Sequence, residues 1–210
     1  MLDNSMEKGE IMAIYTALSA DRVENLKKYL NQVRTFDGDI AEFGVFKGGS
    51  LQIIAEETRL DTQIYGLDSF EGLPVPDKNY DLTTWNICEG GMKADFDTVE
   101  YALSGYHNVK LFKGWFPEVT KNLPNNVKFK FVHIDVDLYQ SVFAACVYFY
   151  PRVVKNGVMI FDDYGWGDTP GAKKAIHKYF GELNFEHLPQ KRIELCWANG
   201  STQFQYLVVK

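Results

Sequence analysis

Acidic side chains are concentrated at the ends of two apolar segments in the second half of the chain. One segment ends in His133-Ile-Asp-Val-Asp137, and the next ends in Phe161-Asp-Asp163. If the two segments form neighbouring strands, their ends lie about 5 Å apart. The carboxylates of Asp135, Asp162 and Asp163 would then repel one another unless a cation lay among them. Oxygen ligands of this kind suit a hard cation, so the pattern predicts a Mg²⁺ site.

Helix capping is the alternative role for these carboxylates. An aspartate directly after a strand often accepts a hydrogen bond from the first turn of the next helix. Capping explains single aspartates well, but it does not explain four acidic residues at two adjacent strand ends. His133 also has two alternative roles, because it could act as a base or be a hydrogen-bonded histidine of the core.

A glycine-rich turn and a second acidic strand end occur earlier in the chain. Glu42-Phe-Gly-Val-Phe-Lys-Gly-Gly-Ser50 follows an apolar segment, and its glycines let the backbone approach a ligand closely. Asp68 ends the next segment, where a carboxylate can accept hydrogen bonds from ribose hydroxyls, and Phe70 could stack on a base. Together these features suggest a cofactor that contains a nucleoside. A tight strand-to-helix turn and a solvated turn carboxylate are the purely structural alternatives.

Strands must alternate with helices to bring these segments together. The hydrophobic periodicity predicts strands at 39–45, 63–68, 109–112, 127–135 and 157–161, and helices at 21–33, 51–58, 98–104, 117–123, 140–150 and 171–183, with Asp21 capping the first helix. Two final strands, 192–197 and 202–209, are joined by a hairpin signal at Asn199-Gly200. The order predicts a parallel α/β sheet with helices on both faces. We expect one domain over 1–210, with an N-terminal helical segment at 1–38 and a lid at 73–97.

Composition excludes several classes of function. The 210 residues include 22 lysines and arginines against 28 aspartates and glutamates, a net charge of −6 with no basic run, which argues against nucleic acid as a partner. The most apolar stretch, 142–154, is too short to span a bilayer. The three cysteines are widely spaced, and acidic residues precede the first short apolar stretch, unlike a signal peptide. These features predict a soluble cytoplasmic protein.

Five segments, in this order along the chain, resemble the motifs of the macrocin O-methyltransferase (TylF/MycF-type) family. They are residues 42–50, 66–74, 113–117, 133–139 and 161–165, and the resemblance runs from about residue 40 to residue 180. It implies the Rossmann-like fold of class I methyltransferases, with a seven-stranded, mostly parallel sheet and a C-terminal antiparallel hairpin. It also implies an enzyme that uses S-adenosylmethionine and Mg²⁺ to methylate sugar hydroxyls, typically on macrolide or aminocoumarin antibiotics.

Site residues follow from the resemblance position by position. It assigns Asp135, Asp162 and Asp163 to the metal and makes Asp137 the candidate general base. An extended backbone would point the side chains of Asp135 and Asp137 to the same face, and the alternative role of Asp137 is to cap the helix that begins near Gln140. The residues implied for the cofactor site are Glu42, Gly44, Phe46, Gly48, Asp68, Ser69, Phe70, Gly114, Trp115 and Asp135.

The implied reaction converts S-adenosylmethionine to S-adenosylhomocysteine and methylates a small sugar or glycoside acceptor, in a monomer or a homodimer. A catechol-type O-methyltransferase would use the same cofactor and metal on an aromatic diol. A nicotinamide-dependent oxidoreductase is disfavoured, because the glycine spacing of residues 44–49 is not G-x-G-x-x-G. A binding module without catalysis would have no reason to keep the four acidic residues.

Overall fold

The computed structural model describes residues 14–84, 86–182, 190–196 and 202–210. The strands are β1 (Asp39–Phe43), β2 (Ile64–Asp68), β3 (Val109–Lys113), β4 (Phe129–Ile134), β5 (Val153–Phe161), β6 (Gln190–Cys196) and β7 (Thr202–Val209). The α-helices are α1 (Ala20–Gln32), α2 (Gly49–Glu57), α3 (Phe96–Leu103), α4 (Tyr139–Phe149) and α5 (Pro170–Glu182). Within these described ranges, no helix has both the length and the apolar character needed to cross a membrane.

All seven strands belong to one sheet, in the order β3-β2-β1-β4-β5-β7-β6. The pairs from β3 to β5 are parallel, and β7 pairs antiparallel with both β5 and β6. This topology confirms the predicted fold class. The strand order reverses between β1 and β4, where open α/β sheets bind ligands beyond the carboxyl ends of their strands.

Strand register brings the predicted site residues to one edge of the sheet. Phe43 of β1 pairs with Ile134 of β4, and Ile134 pairs with Phe161 of β5. The residues that follow these three positions therefore emerge side by side at the same edge. The glycine-rich turn after Phe43 and the aspartates after Ile134 and Phe161 meet there for that reason.

The core consists of two apolar layers, one on each face of the sheet. All six residues of β4 are buried, with Phe129, Val132 and Ile134 in one layer and Phe131 in the other. The pairing register of the strand shifts between Phe129 and Phe131, where the layer changes. Four of its six residues are apolar, as is usual for a parallel strand covered on both faces, and the buried polar residues Lys130 and His133 have polar partners. Burial of each large apolar side chain contributes about 1.5–3 kcal/mol. These layers fix the strands that carry the acidic ends.

Several predicted boundaries differ from the structure. Helix α1 begins at Ala20, so Asp21 lies in its first turn and accepts a hydrogen bond from the Ser19 hydroxyl instead of capping the helix. The segment predicted as a helix at 117–123 forms a short 3₁₀ helix, Glu118–Asn122. Residues 14–18 are not helical. The predicted hairpin turn at 199–200 and residues 1–13 of the N-terminal segment lie outside the described residues.

Residues 69–95 contain neither α-helix nor strand at the described positions, in line with the prediction of a long irregular segment. The segment is fastened to the start of α4. The Asp81 carboxylate accepts hydrogen bonds from the backbone N–H groups of Tyr139 and Asp77, at 2.9 Å each. The ring of Tyr80 stacks on that of Tyr139 with centroids 3.9 Å apart, and Lys174 binds the Tyr80 carbonyl. The segment thus forms a packed cover, and its opening as a lid stays a prediction.

Asp81 is expected to stabilise the fold through these two backbone contacts. Asp81→Ala leaves two N–H groups without their acceptor at a position where Asp81 is only 8% exposed, so the free energy of unfolding should fall by about 1–3 kcal/mol. Urea denaturation measures the change. Asp61→Ala, which removes an exposed carboxylate paired with Arg59, serves as the control and should have little effect. Equal stability of both variants and the wild type would contradict this role.

Candidate active site

A cavity of about 560 Å³ opens at the carboxyl ends of the parallel strands. Its size is within the range of small-molecule sites, which is about 300–1,000 Å³. The wall includes the turn after β1, the ends of β2, β3 and β4, and the segment after β5. The predicted site residues that line it are Gly44, Phe46, Asp68, Ser69, Gly114, Trp115, Asp135, Asp137 and Asp163.

Three residues implied for the cofactor site do not line this cavity. Glu42 is fully buried and faces His133 inside the sheet layer. Phe70 has a left-handed backbone (φ +55°), and its ring, 2% exposed, packs edge-on against Phe96. Gly48 is the residue before α2 and lies against Val99. Glu42 and Phe70 point into the core because of strand alternation and the turned backbone, and their role in the cofactor site stays a prediction.

Gly44 and Asp68 shape the turn that borders the cavity. A Cβ atom at Gly44 would lie 1.8 Å from the carbonyl oxygen of Asp135, and φ is +96°, so only glycine fits. One carboxylate oxygen of Asp68 accepts hydrogen bonds from the N–H groups of Val45 and Phe46 at 2.8 Å, and the other accepts from Phe70 N–H at 2.7 Å. Asp68 therefore fixes the turn while it lines the cavity.

The three predicted metal ligands come together. Asp135, Asp162 and Asp163 each offer a carboxylate oxygen, and these atoms all lie within 4.8 Å of one another. Burial raises the pKa of Asp135 well above its usual value, and the charges of Asp162 and Asp163 raise it further. Burial and the Asp162 charge raise the pKa of Asp163 to about 6. A divalent cation would relieve this repulsion, and the all-oxygen donor set fits Mg²⁺.

None of these carboxylates serves as a helix cap. The segment Asp162–Gly165 is a 3₁₀ helix without a side-chain cap, and α4 has none at Leu138. The N–H of Tyr139 is bound by Asp81 instead. The capping alternative is therefore wrong for Asp137 and for Asp162.

Asp137 lies in the cavity wall, but by a different backbone path from the one expected. Its φ is +57°, so the backbone is left-handed and not extended, a conformation that aspartate tolerates better than most residues. Its N–H donates to Asp163 Oδ2 at 2.8 Å, which fixes the turn against the acidic cluster. Burial raises the pKa of Asp137 well above its usual value, and the Asp163 charge adds to the rise. A carboxylate with a raised pKa is a better proton acceptor.

A buried charge network lies behind the cluster. His133 Nδ1 is 2.8 Å from Glu42 Oε1, and His133 Nε2 is 3.8 Å from Asp162 Oδ1. Asp162 also accepts hydrogen bonds from Arg22 and Gln205. Burial alone would lower the pKa of His133, but Asp162 and Glu42 raise it to about 10. His133 is thus hydrogen-bonded within the core, and its two carboxylate neighbours favour the positively charged ring.

Arg22 and Gln205, which both contact the acidic cluster, were not identified from the sequence. Gln205 lies on β7, and no local pattern marks it. Arg22 did carry a signal, because it precedes Leu26 by one helical turn and so falls on the apolar face of α1 with Tyr29 and Leu30. A charged residue on such a face requires a buried partner of opposite charge. The cavity wall also includes Trp166 and parts of the cover.

Known O-methyltransferases are similar to this chain in sequence. The family described as Macrocin-O-methyltransferase (TylF) matches residues 7–195. The demethyldecarbamoylnovobiocin O-methyltransferase of Streptomyces niveus is 26% identical over 183 residues, which cover 79% of this chain and 67% of that protein. The 8-demethyl-8-(2,3-dimethoxy-alpha-L-rhamnosyl)-tetracenomycin-C 4'-O-methyltransferase of Streptomyces olivaceus is 27% identical over 184 residues, with coverage of 80% and 68%.

Solved structures share the fold at lower identity. The calicheamicin methyltransferase CalS11 superposes with a TM-score of 0.73 at 19% identity, covering 90% of this chain and 78% of that one. The O-methyltransferase TomG from Streptomyces achromogenes, solved in complex with SAM, gives a TM-score of 0.64 at 14% identity, with coverage of 92% and 81%. These likenesses confirm the class I methyltransferase architecture.

The buried pairing of His133 predicts a loss of stability at alkaline pH. Its pKa rises from 6.5 to about 10 on folding, so its contribution is complete below pH 6.5 and is lost as the pH rises through about 10. We expect the free energy of unfolding of the wild type, measured in urea, to fall across this window. The free energy of unfolding of His133→Gln should fall less steeply with pH, because the glutamine amide does not titrate. Parallel curves for the two proteins would contradict the charged state of His133.

Proposed function

Because the chain belongs to the macrocin O-methyltransferase family, we propose that it transfers the methyl group of S-adenosylmethionine to a hydroxyl of a sugar or glycosylated small molecule, with Mg²⁺ at the acidic cluster. One observation carries the proposal. A single cavity holds both the Asp68-fixed glycine turn and two members of a carboxylate triad whose oxygens lie within 4.8 Å of one another. A candidate cofactor pocket and a candidate metal site are thus adjacent.

The cofactor would occupy the part of the cavity beside Asp68. Its carboxylate accepts three backbone N–H bonds and has capacity for about four, which leaves one for a ribose hydroxyl. Trp115, in the wall and 43% exposed, offers the aromatic face that the buried Phe70 lacks. The SAM complex of TomG, which shares the fold, supports this choice of cofactor.

Asp135, Asp162 and Asp163 would hold the metal. When bound, Mg²⁺ supplies positive charge that lowers the pKa of an acceptor hydroxyl. Asp135 and Asp163 line the cavity, whereas Asp162 lies behind them with 1% exposure. The two lining carboxylates therefore face the acceptor side, and Asp162 closes the site from the core.

Asp137 would remove the proton from the acceptor hydroxyl. It lines the same cavity, its pKa is raised, and it is not among the three residues whose oxygens cluster for a metal. A carboxylate bound to Mg²⁺ is a weakened base, so a separate residue is needed for proton removal. The backbone bond to Asp163 holds Asp137 at the edge of the cluster. Proton removal and alignment of the hydroxyl with the methyl group would together accelerate the transfer.

The acceptor would enter where α4, the cover and the segment after β5 meet the cavity. This part of the wall is mixed in character, with polar and aromatic side chains from Asn86, Gln140, Ser141, Trp166 and Asp168. A sugar presents hydroxyls and an apolar face, and such a wall suits both. Both relatives in Streptomyces are named for glycosylated natural products, one of them a rhamnosyl tetracenomycin, which supports the same class of acceptor.

Mass spectrometry of a methylation reaction tests the function directly. The protein is incubated with S-adenosylmethionine, Mg²⁺ and a panel of free sugars, glycosides and catechols. We expect a gain of one methyl group on a glycoside, no product in excess chelator, and recovery on addition of Mg²⁺. Asp163→Asn should lose turnover, and addition of Mg²⁺ should not restore it. Methylation of catechols alone would favour the aromatic alternative, and full turnover in chelator would refute the metal requirement.

Asp137→Asn separates proton removal from structure. Asparagine tolerates the left-handed backbone, and the backbone bond to Asp163 remains, so we expect unchanged cofactor and metal affinity. Turnover should fall by roughly 10²–10⁴-fold because the amide cannot accept the proton. Steady-state kinetics on the acceptor found above, with calorimetric binding of S-adenosylmethionine as the control, measure both. A kcat close to that of the wild type would exclude Asp137 as the base.

A further inference from the structure

We propose that the Arg22 guanidinium is an internal counter-ion of the acidic cluster, which competes with the divalent cation for Asp162 and thereby lowers the affinity of the site for metal. The inference rests on the proposed function, because it assumes that the cluster is where the cation binds. It assigns a role to a residue of α1 that lies outside the strand ends.

The position of Arg22 is the first observation. Its side chain is 10% exposed, and its Nη1 donates to Oδ2 of Asp162, whose side chain is fully buried. The guanidinium carbon is 5.4 Å from the ring centre of Trp166, and the residue lines the cavity. The positive charge of Arg22 therefore forms an ion pair with one of the three carboxylates that would hold the cation.

The second carboxylate oxygen of Asp162 also accepts a hydrogen bond. Its Oδ1 accepts a hydrogen bond from Gln205 Nε2, and Gln205 Oε1 accepts one from Asn25 of α1 at 3.2 Å. Helix α1 thus restrains Asp162 twice, directly through Arg22 and indirectly through Gln205. An Mg²⁺ ion that uses Asp162 must share or displace these donors, and two cations on one carboxylate repel each other.

Arg22 and His133 are positioned differently relative to the cavity. His133 is fully buried and lies 2.8 Å from Glu42, so a carboxylate of its own offsets its charge. Arg22 lines the cavity and forms an ion pair with Asp162 itself. Without metal, Arg22 compensates part of the repulsion among the carboxylates. With metal, the same charge opposes the ion.

Binding of Mn²⁺, an analogue of Mg²⁺ that is visible by electron paramagnetic resonance, tests the proposal in the protein without S-adenosylmethionine. Arg22→Met keeps most of the length of the side chain and removes its charge. We expect it to bind Mn²⁺ about tenfold more tightly than the wild type. Arg22→Lys keeps the charge, so its Mn²⁺ affinity should stay within about threefold of that of the wild type. Arg34→Met removes an exposed arginine, and its Mn²⁺ affinity should match that of the wild type.

A measurement on the wild type covers the case in which Arg22→Met does not fold. The chain has five arginines, so their guanidinium resonances can be resolved in ¹⁵N-labelled protein, and Arg22→Lys identifies the signal of Arg22. We expect this signal to be protected from solvent exchange without metal, and to shift and exchange faster as Mg²⁺ is added. The other four signals should change little.

The outcomes separate this inference from the proposed function. Equal or weaker Mn²⁺ binding by Arg22→Met, or an Arg22 signal that Mg²⁺ does not alter, would overturn the inference while the metal site itself stands. Absence of Mn²⁺ binding in the wild type and in Arg22→Met would overturn both the inference and the proposed metal requirement. Tighter binding by Arg22→Met, lost again on adding Asp163→Asn, would support both.

Discussion

Mutual repulsion among buried carboxylates is the constraint on which the site depends. Parallel strands β4 and β5 end side by side, and the aspartates that follow them have oxygens within 4.8 Å of one another. The protein offsets part of this repulsion with positive charges from Arg22 and from His133, which hold the pKa of Asp162 below its usual value although burial acts in the opposite direction. Asp135 and Asp163 keep raised pKa values and face the cavity. The uncompensated charge is therefore located where a ligand can reach it.

The alternation of strands and helices could be predicted because it follows from local hydrophobic periodicity. The meeting of Asp135, Asp162 and Asp163 could be predicted too, since each follows a strand and parallel strands end at one edge. Glu42 and Phe70 could not be placed in this way. The orientation of the Glu42 side chain depends on strand alternation, and that of Phe70 depends on a left-handed backbone. The φ of +55° at Phe70 could not be predicted, because a positive φ is usually signalled by glycine.

Contacts between residues that are far apart in the sequence could not be predicted either. The left-handed backbone of Asp137 is accompanied by a hydrogen bond to Asp163, which is 26 positions away. Arg22 and Asp162 are 140 positions apart, and each is unremarkable within its own segment. A buried arginine on an apolar helix face indicates that some carboxylate must accompany it, but the sequence contains 28 acidic residues from which to choose. Only the three-dimensional arrangement of the sheet identifies Asp162 as the partner of Arg22.

The placement of β7 between β5 and β6 bears on the order in which a newly made chain can complete its site. Gln205, on this last strand, binds Asp162 and also Asn25, which is 180 positions earlier. A chain emerging from the ribosome can pair β1, β2, β4 and β5 before that strand exists, yet Asp162 then has one donor fewer and the sheet has an open edge beside it. Such distant contacts form late and slow the final folding step. The acidic cluster therefore acquires its full set of hydrogen-bond donors only after β7 has been made.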